Sequence, residues 1–204
     1  MQNQKFKNAI KIVWNKLCEN DIITAPRSAG AELLHDDRIR IVYMNSPYIV
    51  DCQELIATGK NREKAGDALS IILLHYLAGV PENYEEGDFT NYAGLSVAMI
   101  YARNFKLHCK EKLAKAPGND PALYENIYKQ LEGEKDKPGR DSPGYVLPVL
   151  PGVRFLGLFY PDDEEIPAGF TMLLPENSIQ ILPVEDLEIP GELVRSDIIE
   201  MLEK

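Results

Sequence analysis

The sequence predicts an α+β fold, an antiparallel or mixed sheet built from a 38–52 hairpin and the 145–182 strands with helices packed on it, in a single domain over residues 1–204. Three observations carry that class. Val153–Tyr160 is apolar on both alternating faces apart from Arg154 and Gly157, which is the pattern of a strand covered on both sides and central in its sheet. Phe170, Met172 and Leu174 share one face of the next run, so the two runs pair antiparallel across Pro161–Ala168. Arg62–Gly79 repeats Ala65, Leu69, Ile72, Leu73, Tyr76 and Leu77 at helical spacing, with Ile71 and Leu74 widening the stripe into a helix buried on most sides.

The remaining elements follow in chain order. Phe6, Ile10, Val13, Trp14 and Leu17 give residues 5–18 one apolar helical face. Arg38–Met44 and Tyr48–Cys52 alternate around Asn45-Ser46-Pro47 and predict a β-hairpin turning on that triplet. Gly79 is expected in the left-handed position that closes the 62–79 helix, with Pro81 preventing continuation. Phe89–Tyr92 predicts a short edge strand. Leu95–Lys115 predicts a helix with Ala98, Ala102, Phe105 and Cys109 inward and Arg103, Lys106 and Lys110 opposite. Pro121–Leu131 is a short helix with Asn119 or Asp120 as its cap. The polar, Gly- and Pro-rich stretch 133–144 is expected as a flexible surface loop. Pro190-Gly191 is expected to turn the chain into a last helix facing inward with Leu193, Val194, Ile198, Met201 and Leu202.

Composition narrows the partners. With 204 residues and 45% hydrophobic content the chain can bury a sizeable core. The net charge of −10 sits in the last 44 residues, where 12 carboxylates face only Arg195 and Lys204. Affinity for nucleic acid comes from Lys and Arg on phosphates, so no nucleic-acid partner is expected, whereas this acidic surface suits a basic protein partner. The longest apolar run, Ala68–Val80, contains Ser70, His75 and Gly79 and falls short of the ~20 residues of a membrane span. MQNQKFKNAI enters an amphipathic pattern directly, so a cytoplasmic location is expected. Cys18, Cys52 and Cys109 are widely spaced with no CxxC and read as reduced thiols with no iron–sulfur cluster, Cys18 and Cys109 as small core residues.

Chemistry is sparse. No phosphate loop, HExxH or GxSxG is present, so no catalytic residue is assigned. His75 is the one polar group in the last turns of its apolar helix. Tyr84 and Tyr92 stand in the polar segment after it and, with Tyr76, supply aromatic walls for a cleft. Asp162, Asp163 and Glu165 in the acidic turn could ligate a hard divalent cation through oxygen, with His35 beside Asp36-Asp37 as a further candidate.

The order of LLHYLAGVP, an aromatic-bearing segment, LPVLPGVRFLGLFYPDDEEIPAGFTMLL and a late LPVEDL resembles an uncharacterised prokaryotic family catalogued as a domain of unknown function, three-seven-eight-six. The resemblance implies relatives with an added iron–sulfur domain like that of corrinoid proteins, and so corrinoid or one-carbon chemistry. This chain lacks the cluster-binding cysteines. The expected function is thus a non-catalytic binding module for a small cofactor, a corrinoid or related tetrapyrrole. His75 would be its axial ligand and Tyr76, Tyr84 and Tyr92 its wall. The alternatives are a divalent-metal-dependent enzyme using residues 162–165 and an interaction module using the acidic C-terminal surface.

Overall fold

The computed structural model describes residues 11–12, 15, 29–54, 56–59, 63–95, 99–114, 120–136, 144–162, 165 and 167–203. The expected helix at 5–18 and Cys18 lie outside the described residues, apart from positions 11, 12 and 15. The fold is α+β. Two antiparallel sheets are present, with orders β1-β2-β3-β4 and β5-β9-β8-β7-β6.

The first sheet comprises β1 (Glu32–Leu34), β2 (Arg38–Tyr43), β3 (Ser46–Asp51) and β4 (Ile56–Thr58). Its central hairpin turns on Met44 and Asn45, both at positive φ of 46° and 58°, while Ser46 pairs with Tyr43 and Pro47 with Val42 inside the ladder. The expected Asn45-Ser46-Pro47 turn is therefore shifted by one residue. A two-residue loop with both φ positive matches the twist of the flanking strands, and Asn tolerates that region.

The second sheet is built from β5 (Phe89–Asn91), β6 (Glu134–Lys135), β7 (Gly144–Leu150), β8 (Val153–Tyr160) and β9 (Gly169–Pro175). As the apolar pattern requires, β8 is the middle strand, and Phe159 pairs with Phe170 across the connection to β9. Its Gly157 lies beneath Tyr128, whose hydroxyl a Cβ would strike. Val146, Leu156, Leu158 and Leu173 are buried as a second cluster, which accounts for the two-sided apolarity of β8. The expectation of one sheet joining the 38–52 hairpin to the 145–182 strands is corrected. The hairpin tip docks on the rest of the fold, Met44 N donating to Val149 O of the second sheet at 3.1 Å and Asn45 Nδ2 to Leu131 O at the end of the 121–130 helix at 3.1 Å. The described start of the 133–144 stretch forms edge strand β6, and residues 137–143 lie outside the described ones.

Helix α1 (Asp67–Gly79) is buried on nearly every side, as expected. Gly79 does not take the left-handed conformation. Val80 in extended conformation ends the helix, and Gly79 is required because a Cβ there would strike the carbonyl of Ile181. The predicted 95–115 helix is interrupted: α2 (Met99–Phe105), a π-helical segment Lys106–Lys110 and α3 (Glu111–Ala114) follow one another. Phe105, Cys109 and Leu113 are buried at successive spacings of four residues. An α-helix of 3.6 residues per turn would rotate such a series off one face, and the wider π turn keeps it aligned. Helix α4 (Pro121–Gln130) is capped by Asp120, whose Oδ1 accepts from Ala122 N at 2.8 Å. Helix α5 (Glu188–Leu202) starts before Pro190-Gly191, so these residues lie in its first turn and the expected turn there is corrected. A proline at this position lacks only a donor that would have no helical acceptor. Among the described residues no helix is long and apolar enough to cross a membrane.

Candidate functional site

The segment leading into α5 and its first turns bring carboxylates to two histidines. His75, on the last turns of α1, contacts Asp186 Oδ2 through Nδ1, and the two side chains are 21% and 14% exposed. Gly79 on the same turn lets α1 approach Ile181, which brings the following 182–187 segment and its aspartate within reach. Tyr92 belongs to the same neighbourhood. Its hydroxyl donates to Val184 O at 2.5 Å, and its ring stacks on Phe105 with centroids 4.3 Å apart. Burial, and next to it Glu188, raise its pKa, so the hydroxyl remains a donor.

Tyr76 and Tyr84 gather elsewhere, at the β7–β8 turn. Tyr76 Oη donates to Ala29 O at 3.0 Å and to Pro151 O, and Tyr84 Oη donates to Asn177 Oδ1 at 3.1 Å beside Gly152. Burial pushes Tyr84 up to about 12. The expected ligand His75 and its three wall tyrosines thus fall into two places, His75 with Tyr92 by the 182–187 segment and Tyr76 with Tyr84 by the β7–β8 turn. All three hydroxyls pin chain segments together. Two cavities are lined by other residues. One of 840 Å³ lies over the first sheet beside Arg38, Arg40, Ile49 and Asp51, and one of 570 Å³ lies beside Glu86, Phe89, Lys135 and Arg154.

The acidic turn contributes two described carboxylates, Asp162 and Glu165, both exposed, and Asp163 lies outside the described residues. His35, Asp36 and Asp37 form an exposed hairpin loop in which Asp36 pairs with Arg38 at 3.3 Å. Cys52 and Cys109 are buried and in no disulfide, Cys109 in the core as expected.

The second histidine carries no reading in the sequence. His108 lies in the π segment, and its Nδ1 is 3.0 Å from Glu188 Oε1 and 2.9 Å from Glu192 Oε1, two residues one turn apart on α5. Close approach is enforced by Gly191, where a Cβ would stand 2.7 Å from Phe105 Cε2 and 3.1 Å from Cys109 Sγ. Burial, then Glu192 and Glu188, hold the Cys109 thiol protonated, with its pKa up to about 12. The only early signal for this cluster was the i, i+4 spacing of Glu188 and Glu192, and it is hidden when Pro190-Gly191 is read as a turn.

A family model described as Domain of unknown function (DUF3786) matches residues 21–196. The chain belongs to that family. No curated protein and no solved structure matches it. For this member of DUF3786, the match takes in both histidine clusters, from α1 through most of α5.

Proposed function

We propose that this DUF3786 protein is a non-catalytic cytoplasmic binding module that holds a small metal-containing cofactor of the corrinoid class through Nε2 of His75. The bond between His75 Nδ1 and Asp186 carries the reading. A carboxylate on one ring nitrogen fixes the tautomer, orients the ring and raises the basicity of the other nitrogen, the support that metal-ligating histidines generally have. His75 Nε2 has no hydrogen-bond partner among the described residues, and its side chain keeps partial exposure. Both partners sit on firm supports: α1 is buried, and the 182–187 segment is closed by turns from Leu182 N to Ser178 O and Asp186 N to Pro183 O. Choice of a corrinoid within the class of metal cofactors rests on the family resemblance.

Visible-absorption titration of the full chain with hydroxocobalamin tests it. Imidazole coordination should shift the cobalt-centred bands. The shift should vanish in His75→Ala, and Asp186→Asn should weaken binding by about 10–100-fold. An unchanged spectrum, or the same shift in His75→Ala, overturns the reading.

A further inference from the structure

Two carboxylates converging on one imidazole call for a different occupant. We propose that His108, Glu188 and Glu192 form a site for a first-row divalent cation of octahedral preference, of the Mn²⁺ or Fe²⁺ type, independent of His75. The three ligand atoms lie within 4.8 Å of one another, with Nδ1 at 3.0 and 2.9 Å from the two oxygens. Neighbouring ligands at bonds of about 2.1 Å stand about 3.0 Å apart in an octahedron and about 3.4 Å apart in a tetrahedron. The two edges from Nδ1 therefore already have octahedral spacing, and the third, between the carboxylate oxygens, lies within 4.8 Å.

A hydrogen bond has the same length, so the charge count decides. Neutral His108 offers one Nδ1 proton to two carboxylates, and even a protonated ring leaves a net negative charge at a place where Glu188 is 16% exposed. Neither glutamate pairs with Lys or Arg among the described residues. Arg195 is close, but its guanidinium donates to His108 O at 3.2 Å and to Ser196 Oγ at 2.7 Å.

A divalent ion matches both carboxylates and frees the imidazole to act as a neutral ligand. Imidazole nitrogen favours Fe²⁺ over Mg²⁺ and Ca²⁺, the two carboxylates also suit Mn²⁺, and edges of 3.0 and 2.9 Å fit octahedral ions better than tetrahedral Zn²⁺. His108 and Glu192 are 38% and 39% exposed, so the remaining coordination positions face solvent and are open to water or an oxygen-bearing ligand. The π turn that presents His108 is of a kind frequent at functional sites.

The probe is Mn²⁺ alone with the full chain, read by loss of the free-ion electron paramagnetic resonance signal and by nitrogen coupling in electron spin echo modulation. One bound ion with a single imidazole coupling is expected, kept in His75→Ala and lost in His108→Ala. Glu192→Gln, half-exposed and conservative, should keep its circular dichroism and weaken binding by about 10–100-fold. An undiminished free-ion signal overturns the proposal. So does binding that survives both Glu188→Gln and Glu192→Gln unchanged, which would put the ion elsewhere, as at Asp162 and Glu165.

Discussion

The two histidines differ in how many carboxylates each receives. His75 meets Asp186 alone, on a buried helix whose last turn is set by Gly79 against Ile181. His108 meets Glu188 and Glu192, on a π segment set by Gly191 against Phe105 and Cys109. A single carboxylate accepting from Nδ1–H orients the ring, and Nε2 of the neutral imidazole is then able to ligate. Two carboxylates on the same nitrogen leave a charge surplus that asks for a cation. In both places a glycine at a helix contact sets the approach, so the chemistry depends on backbone proximity more than on either side chain's position in sequence.

Changes that move one contact and leave the other sharpen this contrast. The largest effect is expected for Gly79→Ala. The added methyl meets a backbone carbonyl that cannot rotate away, so urea denaturation should show a loss of about 3 kcal/mol, and hydroxocobalamin binding should fall with it while Mn²⁺ binding persists. Equal loss at both sites would erase the distinction. Gly191→Ala is expected to be milder. Alanine gains about 1 kcal/mol of helix propensity, overpacking against Phe105 and Cys109 costs about 1–3 kcal/mol, and the net should be a loss of about 1 kcal/mol. Here Mn²⁺ affinity should drop and the His75 site should be unaffected.

A third carboxylate on α5 supplies the case with no imidazole at all. Asp197 lines a cavity of 240 Å³ with Tyr43 and Tyr48, and burial, then Glu200, push its carboxyl up to about 6. The folded chain therefore holds a proton, between the ordinary carboxylate range and pH 6, that the unfolded chain has released. Stability should fall as pH rises through that window and be lowest above it. Asp197→Asn should stabilise by about 1 kcal/mol at pH 7.5, with the gain shrinking toward pH 4, as read from melting temperatures across pH. A gain independent of pH would show that Asp197 is not the group titrating.

Periodicity determined much of the architecture. The two-sided apolarity of Val153–Tyr160 placed β8 at the centre of its sheet, the alternation in 169–174 placed β9 beside it, and Asp120-Pro121 marked the start of α4. These features depend on neighbours within a few residues, where side-chain spacing and backbone chemistry act directly. His75 stood out for the same reason, as a polar group in an apolar stripe. Tertiary structure alone decided the rest. The hairpin stands in a sheet of its own, and its tip docks by Met44 N and Asn45 Nδ2, contacts made 105 and 86 residues away. Gly79 and Gly191 serve close approach between helices and segments distant in sequence, which no local pattern encodes. Asp186 meets His75 across 111 positions and Glu188 meets His108 across 80. Such pairings exist only once the packed core has fixed which backbone lies against which, because carboxylate and imidazole attract over a few ångströms and carry no mark of one another along the chain.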